Sequence, residues 1–134
     1  ADALKRLYEV YGYYQESMLD IYMEGLDGIE KRHRVMANLK KKPPVTIGGE
    51  RVVRIGDYRA MTIKEVDSGV TTPTGQPASD VFIYTVACGD KIIVRPSGTE
   101  PKIKIYILAH GTEKTAVAEK IARYAEDARR MTAV

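Results

Sequence analysis

Apolar residues recur at helical spacing near both ends of the chain and at strand spacing between them. Leu7, Tyr11, Tyr14, Met18 and Ile21 stand 4-3-4-3 apart and predict a helix over 4–23. Gly12 inside it costs about 1 kcal/mol against alanine. EGLDG interrupts the pattern. Asp27, followed three residues later by Glu30, has the form of a capping box. A second helix is expected over 28–41, with Ile29, Met36 and Leu39 inward and His33 on or near that face. Lys40, Lys41 and Lys42 complement the dipole at its C-terminus, and Pro43–Pro44 ends it.

The middle of the chain reads as strands. VTIGGERVVRI suggests two short strands around Gly48–Gly49, and GDYRAMTIKEVDSGV can pair onward. Residues 71–79, with Pro73, Gly75 and Pro77, form a loop by composition. DVFIYTVA (80–87) and KIIVR (91–95), joined by CGDK, predict an antiparallel hairpin. KIKIYILA (102–109) alternates, with Ile103, Ile105 and Ile107 on one face and Lys104, Tyr106 and Leu108 on the other. His110 caps this strand in the reading. A last helix is expected over 113–131, with Thr112 as N-cap and Val117, Ile121, Tyr124, Ala128 and Met131 as its seam. An antiparallel sheet flanked by helices, an α+β class, follows from this order.

Composition narrows the function classes. The chain has 134 residues, 44% hydrophobic and 29% charged, with a net charge of +3. That length suits one domain, and the charge is too small to argue a nucleic-acid partner. No apolar stretch approaches the roughly 18–20 residues of a membrane span. Cys88 is the single cysteine, which allows no internal disulfide and suits a cytoplasmic setting. It reads as an unreactive turn residue. The chain opens in the middle of a helical pattern and reads as a piece of a longer protein.

RPSGTEPK (95–102) is longer and more specialised than a strand connector needs. Arg95 offers a planar fork to an oxyanion. Ser97 and Thr99 offer hydroxyls. Gly98 allows positive φ and close approach, and successive N–H groups in such a turn can form an anion nest. Lys102 adds a charge, and Pro96 and Pro101 stiffen both flanks. Glu100 opposes this, since a carboxylate repels an anion unless it is turned away or paired. The physics leaves two readings open, an anion-binding loop and a stiff connector.

RPSGTEPKIKIYI resembles the phosphate-binding loop of the α-D-phosphohexomutases, the phosphoglucomutase and phosphomannomutase enzymes. GYYQE, GIEKRHRVMANLKKKPP and IGGERVVRIGDY are similar to the stretch entering the fourth, C-terminal domain in the phosphoglucomutase–phosphopentomutase branch. The resemblance implies a TATA-binding-protein-like α+β domain over 26–134, preceded by a helix of the third domain over 1–25. It implies that Arg95, Ser97, Gly98, Thr99 and Lys102 bind a substrate phosphate. It also implies partners in a phosphosugar and three other domains of the parent chain, and neither nucleic acid nor membrane. Family members interconvert a sugar 1-phosphate and a 6-phosphate (or a pentose 5-phosphate) through a phosphoserine, with Mg²⁺ and a sugar bisphosphate activator. The family's phosphoserine, DxDxDR metal loop and sugar-reading loop have no counterpart here, so no catalytic or metal residue is expected in this chain, which alone would be inactive. The alternative is a non-catalytic anion- or nucleic-acid-binding α+β module.

Overall fold

The computed structural model describes residues 13–133. Ten elements follow one another: β1 Tyr13–Tyr22, α1 Gly28–Lys41, β2 Thr46–Ile47, β3 Glu50–Asp57, β4 Thr62–Glu65, β5 Thr71–Pro73, β6 Phe82–Val86, β7 Lys91–Pro96, β8 Lys102–Gly111 and α2 Lys114–Met131. Seven strands form an antiparallel sheet in the order β1-β8-β7-β6-β3-β4-β5, and β2 pairs with β3 off this path. The α+β class is as expected.

The core forms on one face of the sheet. Ile103, Ile105 and Ile107 of β8 are fully buried, together with Ile92 and Val94 of β7 and Tyr84 and Val86 of β6. Val35, Met36 and Leu39 of α1 and Val117, Ile121, Tyr124 and Ala128 of α2 belong to the same cluster, so both helices cover that face. Ile29 is 43% exposed instead of inward, and buried Arg32 and Val35 take part of its place. His33 is exposed rather than half-buried.

The helix expected over 4–23 is corrected. Its first residues, with Leu7, Tyr11 and Gly12, lie outside the described residues, but Tyr13–Tyr22 is a strand, paired with β8 from Tyr13↔Gly111 to Tyr22↔Lys102. The physical reason is the ladder. Leu19 and Ile21 face the core, while Tyr14, Met18 and Tyr22 point outward at 57–70% exposure. Exposed apolar residues at even positions mask the period-2 pattern, and a helical seam can be traced through both faces at once. The backbone pairing decides the outcome.

Both helix starts also differ from expectation. Asp27 is the N-cap of α1 but makes no side-chain cap bond. Its carboxylate turns to Lys31 (3.4 Å) and Arg34 (3.5 Å). The N-cap of α2 is Glu113 instead of Thr112, again without a side-chain cap bond. The hairpin joining β2 to β3 explains Gly48–Gly49. Gly48 has φ +60°, and a Cβ there would lie 2.6 Å from the Tyr124 ring. Its N–H donates to Asp127 Oδ2 at 2.5 Å, tying the turn to α2. Part of the expected 71–79 loop, Thr71–Pro73, forms the short edge strand β5. Among the described residues no helix is long and apolar enough to cross a membrane.

Asp90, in the turn between β6 and β7, closes the far end of the sheet. Its side chain is fully buried and accepts bonds from Tyr124 Oη (2.6 Å) and the His110 backbone N–H (3.0 Å), with Lys120 Nζ at 2.7 Å and His110 Nδ1 at 2.6 Å. His110 thus anchors the end of β8 through both backbone and ring, and its ring stacks on Tyr14. Cys88 is exposed, with Sγ 3.6 Å from Tyr124 Oη. Burial pushes the Asp90 carboxyl up, but the hydrogen bonds from Lys120, Tyr124, Cys88 and His110 outweigh it, and its pKa lies below the ordinary value. A depressed carboxyl stabilises the fold above its unfolded pKa, and that stabilisation is lost as pH falls through the folded value. Asp90→Asn leaves Lys120 without its partner and is expected to cost about 3 kcal/mol near neutral pH. In thermal melts, the wild-type advantage over Asp90→Asn should shrink as pH falls from about 5 toward 2. An advantage that is constant over that range would show that Asp90 acts through shape alone.

Candidate functional site

The loop between β7 and β8 is placed by strand register. Arg95 pairs with Lys104 and Pro96 with Ile103, so the chain must turn within the six residues 97–102. The Ser97 N–H donates to the Lys102 carbonyl at 2.9 Å and closes the base. Ser97 Oγ then accepts the N–H groups of Thr99 (3.4 Å) and Glu100 (3.2 Å). Ser97 is buried. Its oxygen is an organiser of the turn first, and its O–H remains able to donate outward.

The backbone offers less to an anion than the sequence suggests. Gly98 has no positive φ, contrary to expectation. A Cβ at Gly98 would meet nothing within 4 Å, so the glycine leaves open space in front of the loop. With the Ser97, Thr99 and Glu100 N–H groups engaged, the Gly98 N–H is the loop donor without a bond among the described residues.

The side chains divide into two groups. Arg95, Ser97 and Gly98 line an open groove of about 440 Å³, shared with Arg32, Ser79, Asp80, Val81 and Pro96. Thr99 is exposed beside this lining and outside it. Lys102 turns the other way. Its Nζ lies 3.3 Å from Asp20 Oδ2 and 3.7 Å from Glu100 Oε2, above the Tyr22 ring. Burial pulls the Lys102 ammonium down, but hydrogen bonds to Asp20 and Tyr22 and the charges of Asp20 and Glu100 raise it above its ordinary value. Lys102 therefore occupies Glu100 and keeps that carboxylate paired, which removes the objection the sequence raised. Of the five expected residues, three share the groove, one stands beside it and one supports it from behind.

Two basic residues escaped the sequence reading. Lys104 stands directly across the ladder from Arg95, on the face away from the helices. Neither makes an ion pair among the described residues. Like charges directly opposite each other destabilise a sheet, and Asp20, opposite Lys104 on its other side, offsets part of this. The alternation of KIKIYILA already put Lys104 on the outer face, but the β7–β8 register is needed to set it beside Arg95. The second is Arg32, one turn into α1, whose Nη1 donates to the carbonyls of Ser97 and Glu100. No sequence signal links positions 32 and 97.

A second groove, of about 450 Å³, lies against Leu39, Pro44, Val52, Ile55 and Phe82. It is largely apolar, and two of its three cations, Lys40 and Arg51, are paired with Asp57 and Asp67, while Lys64 makes no ion pair among the described residues. The loop groove is the more polar candidate, because two guanidinium groups without ion pairs among the described residues share it, with Asp80 as its one acid.

Comparison with known proteins agrees with the resemblance. Residues 81–130 match the family described as phosphoglucomutase/phosphomannomutase, C-terminal domain. The chain is 34% identical over 120 residues to a phosphoglucomutase of Staphylococcus aureus strain bovine RF122 / ET3-1, covering 90% of this chain and 22% of that protein. The strain MRSA252 phosphoglucomutase is 33% identical over the same shares. The chain thus spans about a fifth of the length of these relatives. Among solved structures, pp63/parafusin, a Paramecium phosphoglucomutase in its open form, aligns with a TM-score of 0.48 and 14% identity over 96% of this chain and 22% of that one.

Ser97→Ala removes the acceptor of two N–H groups while leaving the strands intact. It is expected to cost about 1 kcal/mol. Amide exchange should accelerate at Thr99 and Glu100 and remain unchanged at Ile105. Uniform acceleration through β8 would mean that Ser97 holds the sheet rather than the turn.

Proposed function

We propose that this chain, whose residues 81–130 match the phosphoglucomutase/phosphomannomutase C-terminal domain family, is the phosphosugar-binding domain of an isomerase that interconverts sugar 1-phosphates and sugar 6-phosphates. The observation that carries the reading is Arg95, which makes no ion pair among the described residues, on an open groove beside the free Gly98 N–H, with Lys104 across the ladder between Arg95 and Asp20. An oxyanion between Arg95 and Lys104 would relieve their repulsion and accept charge-assisted bonds from both. Arg95 supplies the fork, the Gly98 N–H and the Ser97 and Thr99 hydroxyls supply neutral donors, and Lys104 supplies the second charge. Lys102 acts indirectly by holding Glu100.

In this reading the loop positions one phosphate while the other end of the sugar reacts elsewhere in the parent protein. Fixing a reactant this way removes several kcal/mol of orientational cost. Among the described residues no three His, Cys, Asp or Glu side chains cluster to hold a metal ion. Mg²⁺, the phosphoserine and the bisphosphate activator belong to the other domains of a cytoplasmic enzyme. In this reading Tyr13–Tyr22, laddered to β8, goes with the phosphate-binding domain.

Two measurements test the assignment. NMR titration with glucose 6-phosphate should give a dissociation constant near the millimolar range, a net of roughly 4 kcal/mol. Shifts should centre on 95–104, be weakened by salt and be lost in Arg95→Ala but not in Lys42→Ala. Shifts centred on Lys40–Lys42, or unchanged in Arg95→Ala, would reduce the loop to a connector. In a coupled assay with Mg²⁺ and a bisphosphate, the chain alone should show no mutase turnover, and turnover by a clean preparation would refute its assignment as a binding domain.

A further inference from the structure

Helix α1 is built against the loop. Gly28, its first residue, approaches so closely that a Cβ would lie 2.6 Å from the Met23 carbonyl and 2.8 Å from Pro101 Cβ. The Met23 N–H in turn donates to the Pro101 carbonyl at 2.7 Å. Arg32 stands four residues on, on the same helix face. Its Nη1 donates to the Ser97 carbonyl and, at 2.9 Å, to the Glu100 carbonyl. One planar group therefore grips both ends of the turn.

The grip has a consequence for the donor side of the loop. The Ser97 carbonyl belongs to the same peptide unit as the Gly98 N–H. All described peptides are trans, so this C=O and N–H point in opposite directions. With the carbonyl held by Arg32, the Gly98 N–H must face away from α1. It is also the loop N–H that no internal acceptor takes.

Charge gives an independent argument. Arg32 is 9% exposed, and its Nε is buried without a hydrogen-bond partner. No carboxylate pairs with it among the described residues. A buried guanidinium ordinarily has an acid beside it, because desolvation is costly. Arg32 has two carbonyl dipoles instead, and it lines the groove shared by Arg95 and Gly98, where Asp80 is the one acid.

We infer that Arg32 is a positioning residue of the phosphate site: it orients the Gly98 peptide toward the anion, and the bound anion supplies the negative charge that Arg32 lacks. The inference rests on reading the loop as a phosphate site. The test is titration of the full chain with inorganic phosphate, followed by NMR, in wild type, Arg32→Met, Arg32→Lys and Arg95→Ala. In wild type, phosphate should shift both the Gly98 amide and the Arg32 Nε–H resonance. Arg32→Met should weaken binding about ten-fold or more and displace the free Gly98 amide signal. Arg32→Lys keeps the charge but cannot bridge both carbonyls with a planar fork, and a loss of about three-fold is expected. Exchange protection of Ile105 reports whether each variant is folded.

If folded Arg32→Met binds phosphate as wild type does while Arg95→Ala loses it, the role of Arg32 is refuted and the loop reading stands. If Arg95→Ala also binds normally, the loop reading fails and takes this inference with it. Should Arg32→Met not fold, Arg32→Lys decides, and wild-type affinity with an unmoved Gly98 signal overturns the proposal.

Discussion

The register of β8 is the constraint on which the rest depends. The strand is hydrogen-bonded on both sides, to β1 and to β7, and its inward residues Ile103, Ile105, Ile107 and Ala109 are buried to within 2%. A slip of one residue would turn Lys102, Lys104 and Tyr106 toward both helices, so the alternation forbids it. Everything at the two ends follows from that fixity. At one end, Pro96↔Ile103 leaves six residues, 97–102, to turn the chain, and the candidate loop has no other course. At the other, Asp90 receives the His110 backbone N–H together with Lys120 and Tyr124, locking the strand to α2.

The charges around β8 fall into two kinds of site. Asp90 is a buried anion with its partners gathered about it, and Asp20 and Glu100 are both met by Lys102. These arrangements are complete within the chain. Arg95 and Arg32 differ, because they line one groove and make no ion pair among the described residues, with Asp80 the one acid on that lining. Two cations left without an ion pair at a glycine turn are what the proposed anion site would use.

The strands with strict alternation were legible in the sequence, and so was the 28–41 helix, because one face of each is apolar and the other is not. β1 was not legible, since Tyr14, Met18 and Tyr22 put apolar side chains on its solvent face and the period-2 signal vanished. The loop was legible as unusual chemistry from Arg95, Ser97, Gly98 and Thr99 alone. Its internal wiring was not. Ser97 Oγ is spent on Thr99 and Glu100, Lys102 is committed to Asp20, and Arg32 reaches the loop from 65 positions away in the sequence. Such links depend on which side of a strand faces which helix, and a one-dimensional pattern carries that information only after pairing is known.

The composition of the groove bears on what the proposed domain can discriminate. Its donors are guanidinium groups, one backbone N–H and hydroxyls, all of which suit a phosphate. Asp80 is the one carboxylate on the lining, and no aromatic ring joins it. Sugar recognition ordinarily uses acceptors for the ring hydroxyls and flat apolar surfaces for the ring faces. A site of this kind takes its affinity from the phosphate and reads little of the carbon skeleton. For the mutase reaction proposed above, that indifference is an advantage. An intermediate carrying phosphate at both ends must present first one and then the other to the same grip, and a loop that read the sugar would favour one orientation and slow the exchange. Under that proposal, specificity for the sugar would reside outside this groove, and the β7–β8 loop, fixed from behind by α1, would be a constant anchor for either end.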